Sequence, residues 1–320
     1  MAVEIRPAEA SDRPLLLALS EAAFGSPASP AEWAWKYDRA PHRVVSLGAF
    51  DGERALGFFG GLGTRFRGAS GDLPGLAAVD VMTAPSARAL GRRTLFQELA
   101  EAFFRVNGEA GAPFVLGFPN DRHRLAGERT LAYRSVEPAA QWARPVARPG
   151  LVSRLRRRFR RVARGASLSA GHDALAEILH ARPGWRTDRS RATLAWRLAR
   201  PGAAYDLFEL LDGRGRSRAY ATVRVLGDRA LLADLQAADE EAGDAADLLD
   251  TVAEAYAGSP ARTLVLRAGS ASRLAARAAE LGFSPIPTDT HFTVRALDPA
   301  FAVDAAARAF DYRFLDHEIF

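Results

Sequence analysis

Asp80-Val81-Met82-Thr83-Ala84-Pro85-Ser86-Ala87-Arg88-Ala89-Leu90-Gly91 is the stretch on which the reading of this chain turns. An extended run over residues 75–83 stops at Pro85. A helical pattern follows over residues 92–106, with Phe96, Leu99, Phe103 and Val106 at near-helical spacing. A strand that runs through a loop into a helix aims several main-chain N–H groups and a positive helix terminus at one spot, and Gly91 removes side-chain bulk there. That arrangement suits a pyrophosphate.

Outward from this stretch the order of elements is regular. Residues 3–5 read as a strand, and Ser11-Asp12 precedes a helical run over residues 15–24. Residues 44–50, a turn at Asp51-Gly52 and a second extended run to Leu62 form an antiparallel hairpin or meander. After the central strand and helix come an apolar strand at residues 114–118 and a helix at residues 121–130.

The composition changes at Pro145, Pro149 and an arginine run, and a boundary is expected there. The second half repeats the first in outline. It has a helix at residues 173–180, a meander over 205–225, a strand at 230–235, a helix at 244–256, a strand at 263–266 and a helix at 272–281. Trp33, Trp35 and Tyr37 precede the first meander as Trp185 and Trp196 precede the second. The expected division is a first domain over residues 1–145, a basic linker helix over 146–171, a second domain over 172–297 and an extension over 298–320.

Composition narrows the chemistry. The 320 residues are 48% apolar and 25% charged, enough for two buried cores. With no cysteine, a disulfide framework, thiolate ligands and a cysteine nucleophile are excluded. The six histidines are dispersed without metal-ligand spacing, so no metal is expected. The first residues lack a long apolar run, which predicts a soluble, cytoplasmic protein.

The net charge of +5 is local, because residues 150–170 hold seven arginines and no acid. Lys36 is the only lysine, so the general preference for arginine reads as coding bias and not as phosphate binding. Val152, Leu155, Phe159 and Val162 lie on one seam of a helix over residues 152–164. That helix either clamps the two domains or meets a membrane surface or RNA. Nucleic acid and membrane are otherwise not expected as partners.

The central stretch resembles the coenzyme A loop of the GNAT superfamily of N-acetyltransferases, whose pattern R/Q-x-x-G-x-G/A is met here by Arg88 and Gly91, with Arg93 in place of the last small residue. Together with Trp33-Ala34-Trp35-Lys36-Tyr37, Gly117-Phe118-Pro119-Asn120 and Leu131-Ala132-Tyr133, it is similar to a bacterial subgroup of tandem GNAT proteins. The resemblance implies an α/β (α+β) fold of two tandem acetyltransferase-like domains, each a mixed, mostly antiparallel sheet flanked by helices. It also implies acetyl-CoA as co-substrate and a small-molecule amine as acceptor, amino sugars being one class of such amine.

On this resemblance Val81, Met82, Thr83, Arg88, Ala89, Leu90, Gly91, Arg92, Arg93, Thr94 and Asn120 hold the coenzyme. Arg93 either adds a bidentate phosphate contact or closes the cradle. Asn120 either meets the pantetheine arm or caps a turn. Asp80 is the candidate base, placed by strand alternation on the face opposite Val81 and Thr83; its other reading is a tie between the strand and a neighbouring loop.

Glu128 stands near the family's tyrosine acid, and Tyr133 falls too late in the motif to replace it. Trp35 and Tyr37 either wall an acceptor pocket or belong to the core. His123 reads as a surface residue. In the second half the corresponding junction carries Asp239, Glu240 and Glu241, which would repel a pyrophosphate, so that half reads as degenerate. Two other readings remain open: a non-catalytic tandem module, and an aminoacyl-tRNA-dependent transferase.

Overall fold

The computed structural model describes residues 3–26, 28–42, 44–69, 71–87, 94–151, 161–165, 167–239 and 243–317. The chain forms two compact units. Residues 1–65, 73–137 and 290–305 make the first, and residues 66–72, 138–289 and 306–320 the second.

The first unit contains strands β1 (Glu4–Pro7), β2 (Leu47–Asp51), β3 (Arg54–Gly68), β4 (Gly71–Thr83), β5 (Phe114–Gly117), β6 (Arg134–Pro138) and β15 (His291–Ala296), β3, β4 and β6 each running past its border. The sheet order is β1-β2-β3-β4-β5-β15-β6. Helices α1 (Arg13–Phe24), α2 (Pro30–Trp33), α3 (Leu95–Glu109) and α4 (Asp121–Thr130) accompany it.

α3 buries Leu95, Leu99 and Phe103, a strict i, i+4 seam, against Phe59, whose ring lies 4.4 Å from Phe103. The sequence pattern had put Phe96 and Val106 on that face; both are only half-buried, and Ala100 and Phe104 take their place. The helix also starts later than residue 92. Thr94 is its N-cap, accepting from the Gln97 amide while Gln97 accepts from the Thr94 amide at 2.9 Å. At its far end buried Asn107 accepts from Val45 N–H at 3.1 Å and donates to Val45 O at 2.9 Å, tying α3 to the segment that leads into β2.

The second unit contains β7 (Gln141–Pro145), β8 (Arg161–Gly165), β9 (Arg186–Thr187), β10 (Asp206–Leu211), β11 (Ser217–Leu226), β12 (Arg229–Ala237), β13 (Thr263–Arg267) and β14 (Ser284–Ile286). Its sheet runs β14-β7-β13-β12-β11-β10-β8. Helix Gly243–Tyr256 packs Leu248, Leu249 and Val252 on Phe208, Leu210, Leu232 and Leu264. Among the described residues no helix is long and apolar enough to cross a membrane.

Three differences from the sequence reading stand out, the first two caused by pairing between residues distant along the chain. The boundary drawn at 145 shifts, because β7 pairs with β13 and so belongs to the second sheet, while β15 pairs with β5 and belongs to the first. Residues 161–165 are not helical. They form β8 against β10, where Arg164 meets Asp206 at 2.9 Å, and residues 152–160 of the expected helix lie outside the described residues. The helix expected over residues 272–281 is reduced to Arg273–Ala276, capped by Ser272.

Candidate functional site

The site is organised by a fault in β4. β4 and β5 run parallel and pair at Leu76↔Val115 and Ala77↔Leu116, yet β4 continues to Thr83. Within that continuation Asp80 has φ +47°, a left-handed conformation in which a residue with a Cβ is disfavoured by roughly 1–2 kcal/mol. Aspartate is among the few side chains that enter this region, because it bonds locally. The fault resets the side-chain alternation: Val79 and Met82, three apart, are both buried, and Asp80 and Val81 are both half-buried. The expectation that simple alternation aims Asp80 therefore fails at Asp80 itself.

What holds Asp80 comes from the segment after α2. Residues Ala34–Asp38 form a π-helical turn, a widened turn that often marks functional positions. The turn packs Tyr37 on Trp33 with the rings tilted and their centroids 4.6 Å apart, and sets Tyr37 edge-on to Phe58. From there the Tyr37 hydroxyl donates to Asp80 Oδ2 at 2.6 Å, and Lys36 Nζ donates to the same oxygen at 2.8 Å. Lys36 is 5% exposed and the Asp80 side chain 23% exposed, so the pair is sheltered on the lysine side and reachable on the aspartate side. Gly60 in β3 makes the approach possible, since a Cβ there would stand 2.3 Å from the Tyr37 hydroxyl and 2.6 Å from Val79 O.

The structure thus brings together Asp80 and Tyr37 from the sequence reading and adds Lys36, which composition had treated only as the single exception to arginine. Trp35 is buried at 3% exposure and serves the core. Val81 packs on the core as a half-buried neighbour, and Thr83 ends the strand. Arg88, Ala89, Leu90, Gly91, Arg92 and Arg93 lie outside the described residues. Thr94 is engaged in its capping box, so its amide is committed to Gln97; the amides of Leu95 and Phe96 begin the helix without intrahelical acceptors.

Asn120 is the N-cap of α4, accepting from His123 N–H at 3.1 Å, as its turn reading expected, and His123 is exposed. Glu128 is gripped by Arg124 one helical turn away at 2.9 Å. Tyr133 covers Gly127 and packs edge-on to Phe104; burial pushes its phenol above the ordinary value, so it stays protonated.

Residues 4–125 match the family model of the GNAT acetyltransferase domain. Residues 4–125 therefore hold a GNAT acetyltransferase domain. The fold of the whole chain is similar to that of a tandem GNAT protein from the clavulanic acid biosynthesis pathway, with 13% identity, a TM-score of 0.59, and 94% of this chain and 100% of that one covered. It is also similar to a probable N-acyltransferase of Enterococcus faecalis V583, with 11% identity, a TM-score of 0.70, and 93% and 73% covered. A GCN5-related N-acetyltransferase of Kribbella flavida matches with 16% identity, a TM-score of 0.65, and 93% and 71% covered. No curated protein matches the chain.

The second unit has the same parting of strands, occupied there by its own chain. β12 and β13 pair from Arg229↔Thr263 to Leu232↔Leu266, and β12 runs on to Ala237. The C-terminal segment lies along this continuation: Arg313 Nε donates to Leu235 O at 3.3 Å, Gly269 N–H donates to Tyr312 O at 3.2 Å, and Phe314 packs with Leu231 and Val265. Asp239 Oδ2 accepts from the Asp244 amide at 3.0 Å, so part of this helix opening is satisfied by the chain itself.

Proposed function

We propose that the first unit transfers an acyl group, acetyl in the simplest case, from acyl-CoA to a small-molecule amine by direct attack, an amino sugar being one acceptor of this class. The observation that carries this reading is the left-handed Asp80 on the part of β4 that has left β5, with its carboxylate gripped by Lys36 and Tyr37.

The fit to coenzyme A rests on this chain's own groups. Beyond Ala77 the main chain of β4, through Val81, Met82 and Thr83, is not paired to β5, which offers hydrogen-bonding groups to an extended amide-bearing arm. The start of α3 beyond Thr94 supplies a positive terminus for phosphate, and residues 88–93, which precede it in the sequence, carry the Arg88 and Gly91 of the motif. Bound there, coenzyme A supplies the acyl group as a thioester.

An amine of lysine type has a pKa of about 10, so the reaction needs an acceptor for its proton. Asp80 fills that role, directly or through water. Lys36 and Tyr37 position it by fixing one oxygen and leave the half-buried side chain open to solvent. Lys36 and Tyr37 are thus positioning residues.

Because the chain has no cysteine, a thiol reagent reads only released coenzyme A. Incubation of acetyl-CoA with a panel of amines, amino sugars among them, should release thiol in an amine-dependent way. Asp80→Asn should lower kcat with little change in acetyl-CoA affinity. Thiol release that is absent for every amine, or unchanged in Asp80→Asn, contradicts the reading.

A further inference from the structure

A cavity of about 170 Å³ in the second unit is walled largely by guanidinium groups. Arg182 enters from the turn that follows helix His172–His180, Arg186 from β9, Arg273 and Arg277 from the short helix after β13 and its C-cap, and Arg313 from the C-terminal segment. The acids in its wall among the described residues are Asp239 and Asp311, so five positive groups face two negative ones there. Asp311 is engaged by Arg313 and Asp239 Oδ2 by the Asp244 amide, while Asp239 Oδ1 has no hydrogen-bond partner among the described residues. Arginines from other segments of the chain surround Asp239; Glu240 and Glu241, the other two acids of the junction, lie outside the described residues.

Arg186 shows that the positive charge is not balanced from within. Its side chain belongs to a residue only 3% exposed, and its terminal nitrogens donate to the main-chain carbonyls of Leu179, Arg182 and Pro183. Its Nε has no hydrogen-bond partner among the described residues. Burial, partly opposed by Asp311, and the nearby guanidiniums of Arg182, Arg313 and Arg189 bring Arg186 down to about 10. A buried cation held only by neutral carbonyls gains most from an added anion.

Size and access set the class of that anion. The C-terminal segment already lies along β12, so a ligand with a long arm cannot follow the strand. A compact group with several acceptor oxygens matches forked donors that converge from different elements.

We propose that this cavity is a binding site for a compact phosphate-bearing ligand, either inorganic phosphate or a small phosphomonoester, distinct from the acyl-transfer site of the first unit. The site owes nothing to that reading, since its donors are side chains of the second unit alone.

The test is calorimetric titration of the full chain with inorganic phosphate against chloride at equal ionic strength. Saturable binding is expected. Because Arg273 is exposed and Arg277 lies at the rim, paired with Glu280, the double variant Arg273→Gln/Arg277→Gln should remain folded by circular dichroism. It should bind phosphate about tenfold more weakly, the loss expected for a charge-assisted contact. Gly91→Glu, in the first unit, should bind phosphate as the wild type does.

Glucose 6-phosphate binding more tightly than phosphate identifies a phosphomonoester as the ligand; the reverse identifies the free ion, and both support the site. Absence of saturable phosphate binding, equal affinity in the arginine double variant, or loss of binding in Gly91→Glu overturns the proposal.

Discussion

Replacing Asp80 by asparagine keeps the shape of the side chain and removes its charge, which isolates what the pair with Lys36 contributes. Asp80 Oδ2 receives a charged donor at 2.8 Å and a phenolic donor at 2.6 Å. Removing one member of a fully buried ion pair costs about 3–5 kcal/mol, and an exposed pair is worth about 1 kcal/mol or less. Lys36 is 5% exposed but the Asp80 side chain 23%, so the geometry lies between these limits and nearer the first. A loss of about 2–3 kcal/mol is expected for Asp80→Asn, from the Lys36 ammonium left without its carboxylate, since asparagine tolerates the left-handed backbone as aspartate does.

The assay is urea denaturation of the wild type, Asp80→Asn, Lys36→Met and the double variant, treated as a cycle. Lys36→Met keeps the length of the stem and removes the ammonium. The coupling energy should be about 2 kcal/mol, with the double variant less destabilised than the sum of the singles. A coupling below about 0.5 kcal/mol would show the pair to be screened like a surface contact and would refute the reasoning that it fixes Asp80.

Three further outcomes follow from the packing and the charges. Gly60→Ala forces a Cβ to within 2.3 Å of the Tyr37 hydroxyl; it should destabilise the protein by about 1–3 kcal/mol and lower kcat as far as Tyr37→Phe does, and wild-type turnover with wild-type stability would contradict it. Asp316→Asn breaks a bidentate pair with Arg189 at 2.8 and 2.9 Å inside the second unit, where Asp234 and Asp316 hold Arg189 well above its usual value. Denaturation should show a loss of about 3 kcal/mol, and a loss under 1 kcal/mol would exclude a buried pair.

His317, whose Nδ1 lies 2.9 Å from Arg267 Nη1, is lowered to about 3 by burial and by Arg267 and Arg200. The unfolded chain takes up a proton near pH 6.5 that the folded chain refuses, so stability should fall as pH drops below 6.5, by about 2 kcal/mol from this residue at pH 5, and level off near pH 3. Denaturation at pH 7 and pH 5 should show this slope, reduced in His317→Asn; an equal slope in the variant would assign the loss elsewhere.

Much of the order of elements was legible because each element carries its own local signal. Leu99 and Phe103 have helical spacing and are buried on α3 as read, and Asp51-Gly52 marks a hairpin turn. What escaped depends on partners far away in the chain. Residues 161–165 have the arginine content of a solvated helix and become a strand only because β10 pairs with them. Neither β7 nor β15 carries a sign of the sheet it joins, since a strand's partner is chosen by complementary edges and not by its own residues.

The site was legible in its chemistry and not in its aim. Asp80 stood out as a carboxylate at the start of the decisive stretch and Tyr37 only as a pocket or core aromatic, and the left-handed turn at which they meet is a single backbone angle at a non-glycine residue, which pattern reading passes over. Lys36 gave one signal, being the only lysine, placed between Trp35 and Tyr37. In an arginine-rich chain a lysine kept at a buried position marks a need for one compact charge where a planar guanidinium does not fit.

If acyl-CoA binds at the β4–α3 junction of the first unit and nowhere else in the chain, isothermal titration with acetyl-CoA should show one site per chain in the wild type and none in Gly91→Glu. Two sites, or an unchanged isotherm in Gly91→Glu, would rule this junction out as the single acyl-CoA site.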